Sequence, residues 1–390
     1  MPIARRDLLA LSTAAITLPL GGRHARAADK EITVGVSIPL TGPGAATGIT
    51  AQRTLERGVE LVNAEGIQIG PDRYTLKLAF YDNKYVPAEA VTVVEKLLAD
   101  GVRILISLGS GNSVPVVAKT NAVKALQLSY ASGKGHLTAP EFPLSFRVAP
   151  TNETAWAVYP WLRATYRNVQ TIGHMNPSDE AGFTESEDRR MISEKNGFTT
   201  IANEFFKRGA ADFYPVATRL AGANPDLIDF GGSVGRDQSL GCKALRELGY
   251  KGLIMLGYAD AKSFVEVAGA EAAEGTLLFD TLVDPQNKAQ QDLQDWWLKK
   301  YGPPFPSFAF SVFDTPNILA LGIRKAQSID PEKIAEALRG AKWEGLYGPE
   351  AFGMKSVYGI DTTITRKIPI AVIKGGKPVQ LIIVPWPDNV

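Results

Sequence analysis

The strongest constraint on this chain is an alternation of strand and helix that runs through one set of elements and then begins again. Residues 32–38 alternate β-branched positions and read as a strand, which Pro39 ends. Residues 50–64 place Leu55, Val59, Leu61 and Val62 at helical spacing, and residues 74–81 alternate as a strand with Leu76, Leu78 and Phe80 on one face. Residues 88–99 return to the helical period before Gly101. Residues 102–108 are an apolar run short enough for a buried parallel strand; the small-residue turn 109–113 then leads into a helix over 114–126, capped by Asn112 or Ser113, with Pro115 in its first turn. After Pro150 the pattern resumes with helix 155–166, strand 171–174, helix 185–196, strand 199–205, helix 213–221, strand 227–230 and helix 238–248. Strands joined through helices pair in parallel and need covering on both faces. The chain therefore reads as α/β, with two doubly wound parallel-sheet lobes and a cleft between them. The last portion, 275–390, carries a strand near 276–282, two helices and strands at 368–373 and 380–384, and an extra helix-rich segment there returns most economically to complete the first lobe.

The residues before the first strand belong to targeting. Arg5 and Arg6 open a short apolar run over 8–20, and Ala25-Arg26-Ala27 offers a small-residue cleavage site, so 1–28 reads as a cleaved export signal. The arginine pair followed by Asp7-Leu8-Leu9 fits the twin-arginine type, which delivers folded proteins. The run is too short to span a membrane, and no Cys stands just behind it to carry a lipid anchor, so a soluble periplasmic product is expected. With 42 Lys+Arg against 41 Asp+Glu the chain lacks the concentrated basic surface that nucleic acid demands. A length of 390 residues is enough for about two domains. Cys242 is the only cysteine, so no internal disulfide forms, and its helical apolar setting reads as a buried structural thiol.

In open parallel sheets ligands gather beyond the carboxyl ends of the strands. That rule selects four loops rich in Gly, Ser or Thr: 41–47, 109–113, 131–135 and 231–237. Their small residues let backbone N–H groups approach a carboxylate or another polar group.

With these elements in place, the sequence resembles the type I periplasmic solute-binding proteins, specifically the branched-chain amino-acid (Leu/Ile/Val-binding) family of ABC-importer receptors. The likeness rests on Pro39-Leu40-Thr41-Gly42-Pro43, on Tyr81-Asp82-Asn83 with Pro87 and Ala90, and on residues 97–101. Phe146-Arg147, Ala272-Ala273-Glu274-Gly275 and Gly348-Pro349 extend it. The resemblance implies two lobes joined by three crossovers, near Pro150, Val283 and 352–355. It divides the mature chain into a first lobe of 29–150 plus 283–354 and a second of 151–282 plus 355–390. It also implies a small-molecule solute, an ABC permease in the inner membrane as partner, a monomer and no cofactor. Ser110, with Ala131, Ser132 and Gly133, matches the family's carboxylate-holding loops, and Thr47 stands where those receptors often carry a bulkier side chain.

The second lobe departs from the amino-acid pattern. Ala181 and Ser233 stand where aromatics are expected, and Ala259, followed by Asp260, stands where an acidic residue would meet the ligand ammonium. An ammonium buried without a carboxylate costs several kcal/mol, roughly. Either Asp260 takes that role or the ligand has no α-amino group; the preferred reading is an aromatic or other organic acid, with Tyr258 or Tyr130 stacking on it. Lys134, His136 and Arg236 lie near the expected cleft. An enzyme is the weaker alternative, because His136 and His174 are the only histidines after the signal and no Gly-x-Ser-x-Gly elbow or spaced metal-ligand set is present. The remaining alternative is a soluble periplasmic sensor, although such domains usually continue into a membrane helix and this chain stops at Val390.

Overall fold

The computed structural model describes residues 29–132, 137–233, 235–257 and 259–387. The strands fall into two sheets that the chain visits in turn. β1 (Lys30–Ile38), β2 (Ile67–Ile69), β3 (Asp72–Asp82), β4 (Ile104–Leu108), β5 (Leu126–Tyr130) and β6 (Ser145–Arg147) lie in the first sheet. The chain then crosses to β7 (Thr171–Pro177), β8 (Thr199–Phe206), β9 (Leu227–Phe230), β10 (Leu253–Gly257) and β11 (Leu277–Phe279) in the second. It returns for β12 (Lys342–Gly345), β13 (Gly348–Gly353) and β14 (Thr363–Thr365), and crosses a last time to β15 (Ile368–Lys374) and β16 (Lys377–Val384). The nine-stranded order is β12-β13-β14-β6-β5-β4-β1-β3-β2, and the seven-stranded order is β16-β15-β11-β10-β9-β7-β8. Both sheets are parallel at the centre, while the β2–β3, β12–β13–β14 and β11–β15–β16 pairings at their edges are antiparallel.

Helices cover both faces. Those that bear on the site are α1 (Ala45–Glu65), α2 (Pro87–Ala99), α3 (Ser110–Ala122), α4 (Thr154–Thr165), α5 (Glu180–Lys195), α6 (Tyr214–Ala223), α7 (Arg236–Glu247) and α8 (Ala261–Ala268). The period of β1 explains the layering: Ile32, Val34, Val36 and Ile38 join Leu55, Val59 and Val62 of α1 in one core. On the other face Gly35 lies under Leu97 of α2, where a Cβ would come 2.8 Å from the leucine methyl. Each fully buried aliphatic side chain of this kind contributes about 1.5–3 kcal/mol. No helix among the described residues is long and apolar enough to cross a membrane.

Several sequence expectations shift. Residues 41–47 are not one loop: a short 3-10 turn, Gly42–Gly44, leads at once into α1, which places Thr47 on a helix, exposed. α3 starts at Ser110 rather than 114, so Pro115 lies beyond its first turn, and it stops at Ala122 because Lys124 takes the left-handed φ of 58° that releases the chain into β5. α5 starts at Glu180, capped by Asp179, ahead of the expected 185. The third crossover comes later than 352–355. β14 pairs with β13 and, at Thr363, with Arg147 of β6, which keeps the chain in the first sheet until Arg366 and Lys367. The expected export signal, 1–28, lies outside the described residues.

Candidate functional site

The first lobe builds its side of the cleft from three strand ends. Asp82, closing β3, accepts hydrogen bonds from the Leu40 N–H (2.8 Å), the Thr41 N–H (3.2 Å), the Thr41 hydroxyl (2.5 Å) and the Lys84 N–H (2.8 Å). Desolvation pushes its carboxyl up, but the donors from Thr41, Lys84 and Leu40 outweigh it and hold the pKa at about 2. The next side chain, Asn83, is buried; its Oδ1 accepts from the Tyr85 N–H at 3.0 Å and its Nδ2 donates to the Ser37 hydroxyl at 3.2 Å. The loop so anchored carries Tyr85 over Gly44 and Gly109, where added Cβ atoms would approach its ring to 2.9 and 2.8 Å. Gly109 has φ 92°, a conformation suited to glycine, and α3 begins on the following residue. The first N–H groups of a helix have no partner within it, so the start of α3 presents donors to the cleft. Ser110 sits there, buried, and its hydroxyl makes no hydrogen bond among the described residues.

The second lobe answers with a polar face on α5. Asp179 caps that helix by accepting from the Gly182 N–H (3.1 Å) and also holds Arg208 through its Nε (2.6 Å) and Nη2 (3.2 Å). Arg208 Nη2 donates as well to the Gly232 carbonyl at 3.2 Å. One turn along α5, Glu185 crosses between the lobes: it accepts the Ser132 hydroxyl at 2.8 Å and the Arg189 Nε at 2.8 Å. Arg189 continues inward, donating to Asp229 (3.2 Å) and Thr154 (2.9 Å), and the Tyr159 hydroxyl donates to the same Asp229 oxygen at 2.5 Å. Burial raises the pKa of Glu185 against the pull of Arg189. His174 lies 4.0 Å from Asp229; burial brings its pKa down to about 4, so the imidazole stays uncharged.

The expected residues divide unevenly. Ser110, Ala131 and Ser132 lie buried at the strand ends of the first lobe, and Ala181 lies in the first turn of α5, its carbonyl beside Gly232. Ser233 turns its hydroxyl back to the Phe230 carbonyl at 3.1 Å, and Asp260 caps α8 by accepting from the Ser263 N–H at 2.8 Å. Tyr130 is not a stacking surface: its hydroxyl is bonded to Thr315 and Val312 and its ring lies edge-on to Phe308, inside the first lobe. Arg236 is exposed at the start of α7, and His174 lies in the interior of the second lobe. Gly133, Lys134, His136 and Tyr258 lie outside the described residues. Sequence reasoning missed Tyr85, Arg208, Glu185 and Arg189. Tyr85 stands two residues beyond the Tyr81-Asp82-Asn83 run, and the Ser178-Asp179 cap signal would have drawn attention to the polar start of α5. Cys242 is buried, its thiol 3.4 Å from the Ala272 carbonyl, and burial raises its pKa to about 11. Among the described residues no group of three or more His, Cys, Asp or Glu could hold a metal ion.

The model of a periplasmic binding protein family matches residues 31–377. A Leu/Ile/Val-binding protein homolog of Brucella melitensis is 25% identical over 338 residues, covering 86% of this chain and 90% of its own. A leucine-, isoleucine-, valine-, threonine- and alanine-binding protein of Pseudomonas aeruginosa is 25% identical over 338 residues, covering 85% and 88%. Among solved structures, an extracellular ligand-binding receptor from Rhodopseudomonas palustris superposes with TM-score 0.76 at 25% identity, covering 91% of this chain and 100% of that one. A leucine-binding protein of Thermotoga maritima has the same fold, with TM-score 0.76 at 19% identity, covering 92% and 100%.

Proposed function

The chain belongs to the periplasmic binding protein family, and from that premise we propose that it is the extracytoplasmic receptor of an ABC importer, closing two lobes around a small carboxylate-bearing solute. The observation that carries this reading is the start of α3, where Ser110 and the first helix N–H groups have no hydrogen-bond partner among the described residues, on a helix that packs against α5 of the other lobe. Opening admits the solute, and contacts from both lobes favour closure, the state the permease then receives. Residues 1–28 direct export to the periplasm, and the protein binds its solute without transforming it.

The Pseudomonas relative is named as binding leucine, isoleucine, valine, threonine and alanine, and such amino acids are the second reading here. The preferred ligand is an organic acid, aromatic acids included, without an α-amino group. Ala259 replaces the expected acid, Asp260 is committed to capping α8, and both oxygens of Glu185 already accept from Ser132 and Arg189. Ala181 and Ser233 leave room that aromatic side chains would fill.

Calorimetry with leucine, isoleucine, valine, benzoate and phenylacetate, together with mass spectrometry of copurified solute, tests both points. The organic-acid reading expects tight binding of an acid lacking the amino group, and tight binding confined to leucine-like amino acids rejects it. Ser110→Ala should weaken the bound acid by roughly 10-fold or more, the loss of a hydrogen bond to a charged group. Ligand-dependent ATP hydrolysis by the reconstituted permease separates transport from sensing.

A further inference from the structure

Tyr85 lies beside the start of α3 in the first lobe and Arg208 beside the start of α5 in the second, the two helices are in contact, and the geometry of both side chains goes beyond what packing requires. Tyr85 has φ 59° and follows Lys84 at φ 54°. Two bulky residues in the left-handed region are held there against a cost of about 1–3 kcal/mol each, and such strain persists only where the surroundings enforce it. They do: Asp82 accepts from the Lys84 N–H and Asn83 from the Tyr85 N–H, at 2.8 and 3.0 Å. Two glycines clear the space for the ring. Its hydroxyl end lies over Gly109, where an added Cβ would be 3.2 Å from the phenol oxygen, one residue ahead of Ser110. No described group hydrogen-bonds to that hydroxyl.

Arg208 comes from the loop that follows β8. Asp179 receives its Nε and Nη2, and because the same carboxylate caps α5, the guanidinium is held by a helix terminus rather than by a flexible partner. The Gly232 carbonyl takes a second bond from Nη2, whereas Nη1 makes no hydrogen bond among the described residues. The side chain is 21% exposed. A guanidinium has five N–H donors in a rigid fork, so Asp179 and the Gly232 carbonyl can take those of Nε and Nη2 while the two on Nη1 stay available. Gly109, under the phenol, leads into α3, and α3 packs against α5, whose cap Asp179 holds this guanidinium.

We propose that Tyr85 and Arg208 form a two-sided clasp for the carboxylate of the ligand: the phenol donates from the first lobe beside Ser110, and the unused Nη1 of the guanidinium arrives with the second lobe on closure. This rests on the receptor reading and deepens it. The ligand class narrows to acids whose anionic group is required for closure, so an amide of the same shape is discriminated against by the second lobe as well as the first. Asp179 limits the cost of burying the cation before the ligand arrives.

The experiment is calorimetry on the mature full chain with benzoate, phenylacetate and leucine, each beside its primary amide, for the wild type and for Arg208→Gln, Tyr85→Phe and Ser110→Ala. Arg208→Gln keeps a hydrogen-bonding group for Asp179, and Tyr85→Phe keeps the ring over Gly44 and Gly109. Whichever acid the wild type binds should weaken roughly 10- to 100-fold in Arg208→Gln and about 10-fold in Tyr85→Phe, while its amide changes far less, so that the acid-to-amide ratio collapses. An unchanged ratio in both variants, or a loss falling equally on acid and amide, overturns the clasp. If Ser110→Ala alone removes the preference for acid, the clasp is wrong and the receptor reading stands. If the wild type binds none of these acids, both are wrong.

Discussion

Glu350 behaves least like its residue type. It is 3% exposed on β13, its carboxylate lies across Gly345, and it accepts from the Tyr347 N–H at 3.2 Å. Burial first, and then the neighbouring Asp314 carboxylate, raise its pKa to about 8; burial also brings Asp314 up to about 6. Arg366 pulls the other way, but it is paired with Asp280 at 2.8 Å and lies 3.6 Å from the centre of the Tyr347 ring. The folded protein therefore holds the Glu350 proton more tightly than the unfolded chain, whose glutamate titrates near 4.5. Its contribution to stability is complete below that value and is lost as pH rises toward about 8. Glu350→Gln should remove this slope, and calorimetric melting from mildly acidic to mildly alkaline pH should show the variant gaining on the wild type by several degrees at the alkaline end. Parallel melting curves would count against a buried protonated Glu350. None of this was legible in the sequence, where Glu350 follows Gly348-Pro349 as an ordinary turn-flanking acid.

At the scale of elements, the two lobes open with the same joint. β1 runs into Pro39 and α1 lies on that proline's carbonyl through Gly48; β7 ends on Pro177 and α5 lies on its carbonyl through Gly182. A Cβ would come 1.7 Å from the Pro39 oxygen at Gly48 and 1.8 Å from the Pro177 oxygen at Gly182. Alanine at either position should cost about 1–3 kcal/mol or more, since the helix must lift off the strand end. Urea denaturation measures this, and Gly182→Ala should also weaken solute binding because it displaces Asp179 and Ala181. A wild-type midpoint for both variants would show that the helices have slack at these joints. The alternation of elements was readable because its signals are local: β-branched runs, helical spacing, and Gly or Pro between them. Boundaries were less so. Pro115 suggested a helix start near 114, whereas the helix begins at Ser110, set by the left-handed Gly109, a backbone conformation that composition does not display.

At the scale of the whole molecule, Arg147 ties two of the crossings together. Fully buried, it is paired with Glu153, donates to Thr138 (2.7 Å), Asn152 (3.1 Å) and Thr363 (3.1 Å), and lies 5.1 Å from the centre of the Tyr358 ring; Tyr358 in turn bonds Glu153. The first crossing leaves the first sheet immediately after this residue, and β14 holds the last one beside it. Arg147→Leu should destabilise the protein by about 3–5 kcal/mol, because Glu153 is left buried without its cation. Chemical denaturation reads the effect, and an unchanged midpoint would remove Arg147 from any role in joining the lobes.

The sequence by itself determined the α/β class, the two-lobe alternation, the family resemblance and the small-residue turn at Gly109 that leads to Ser110. These are written in runs of about ten residues, within reach of local propensity and hydrophobic period. The tertiary structure alone decided where the last crossover falls, because β14 finds its place by pairing Thr363 with Arg147, far apart in the chain. It also decided that Ser132 meets Glu185, that Ser233 turns inward, and that the Tyr85 ring lies over Gly109. Those relations depend on how two sheets are set against one another, and a contact between distant strand ends leaves no periodic trace in the residues that make it.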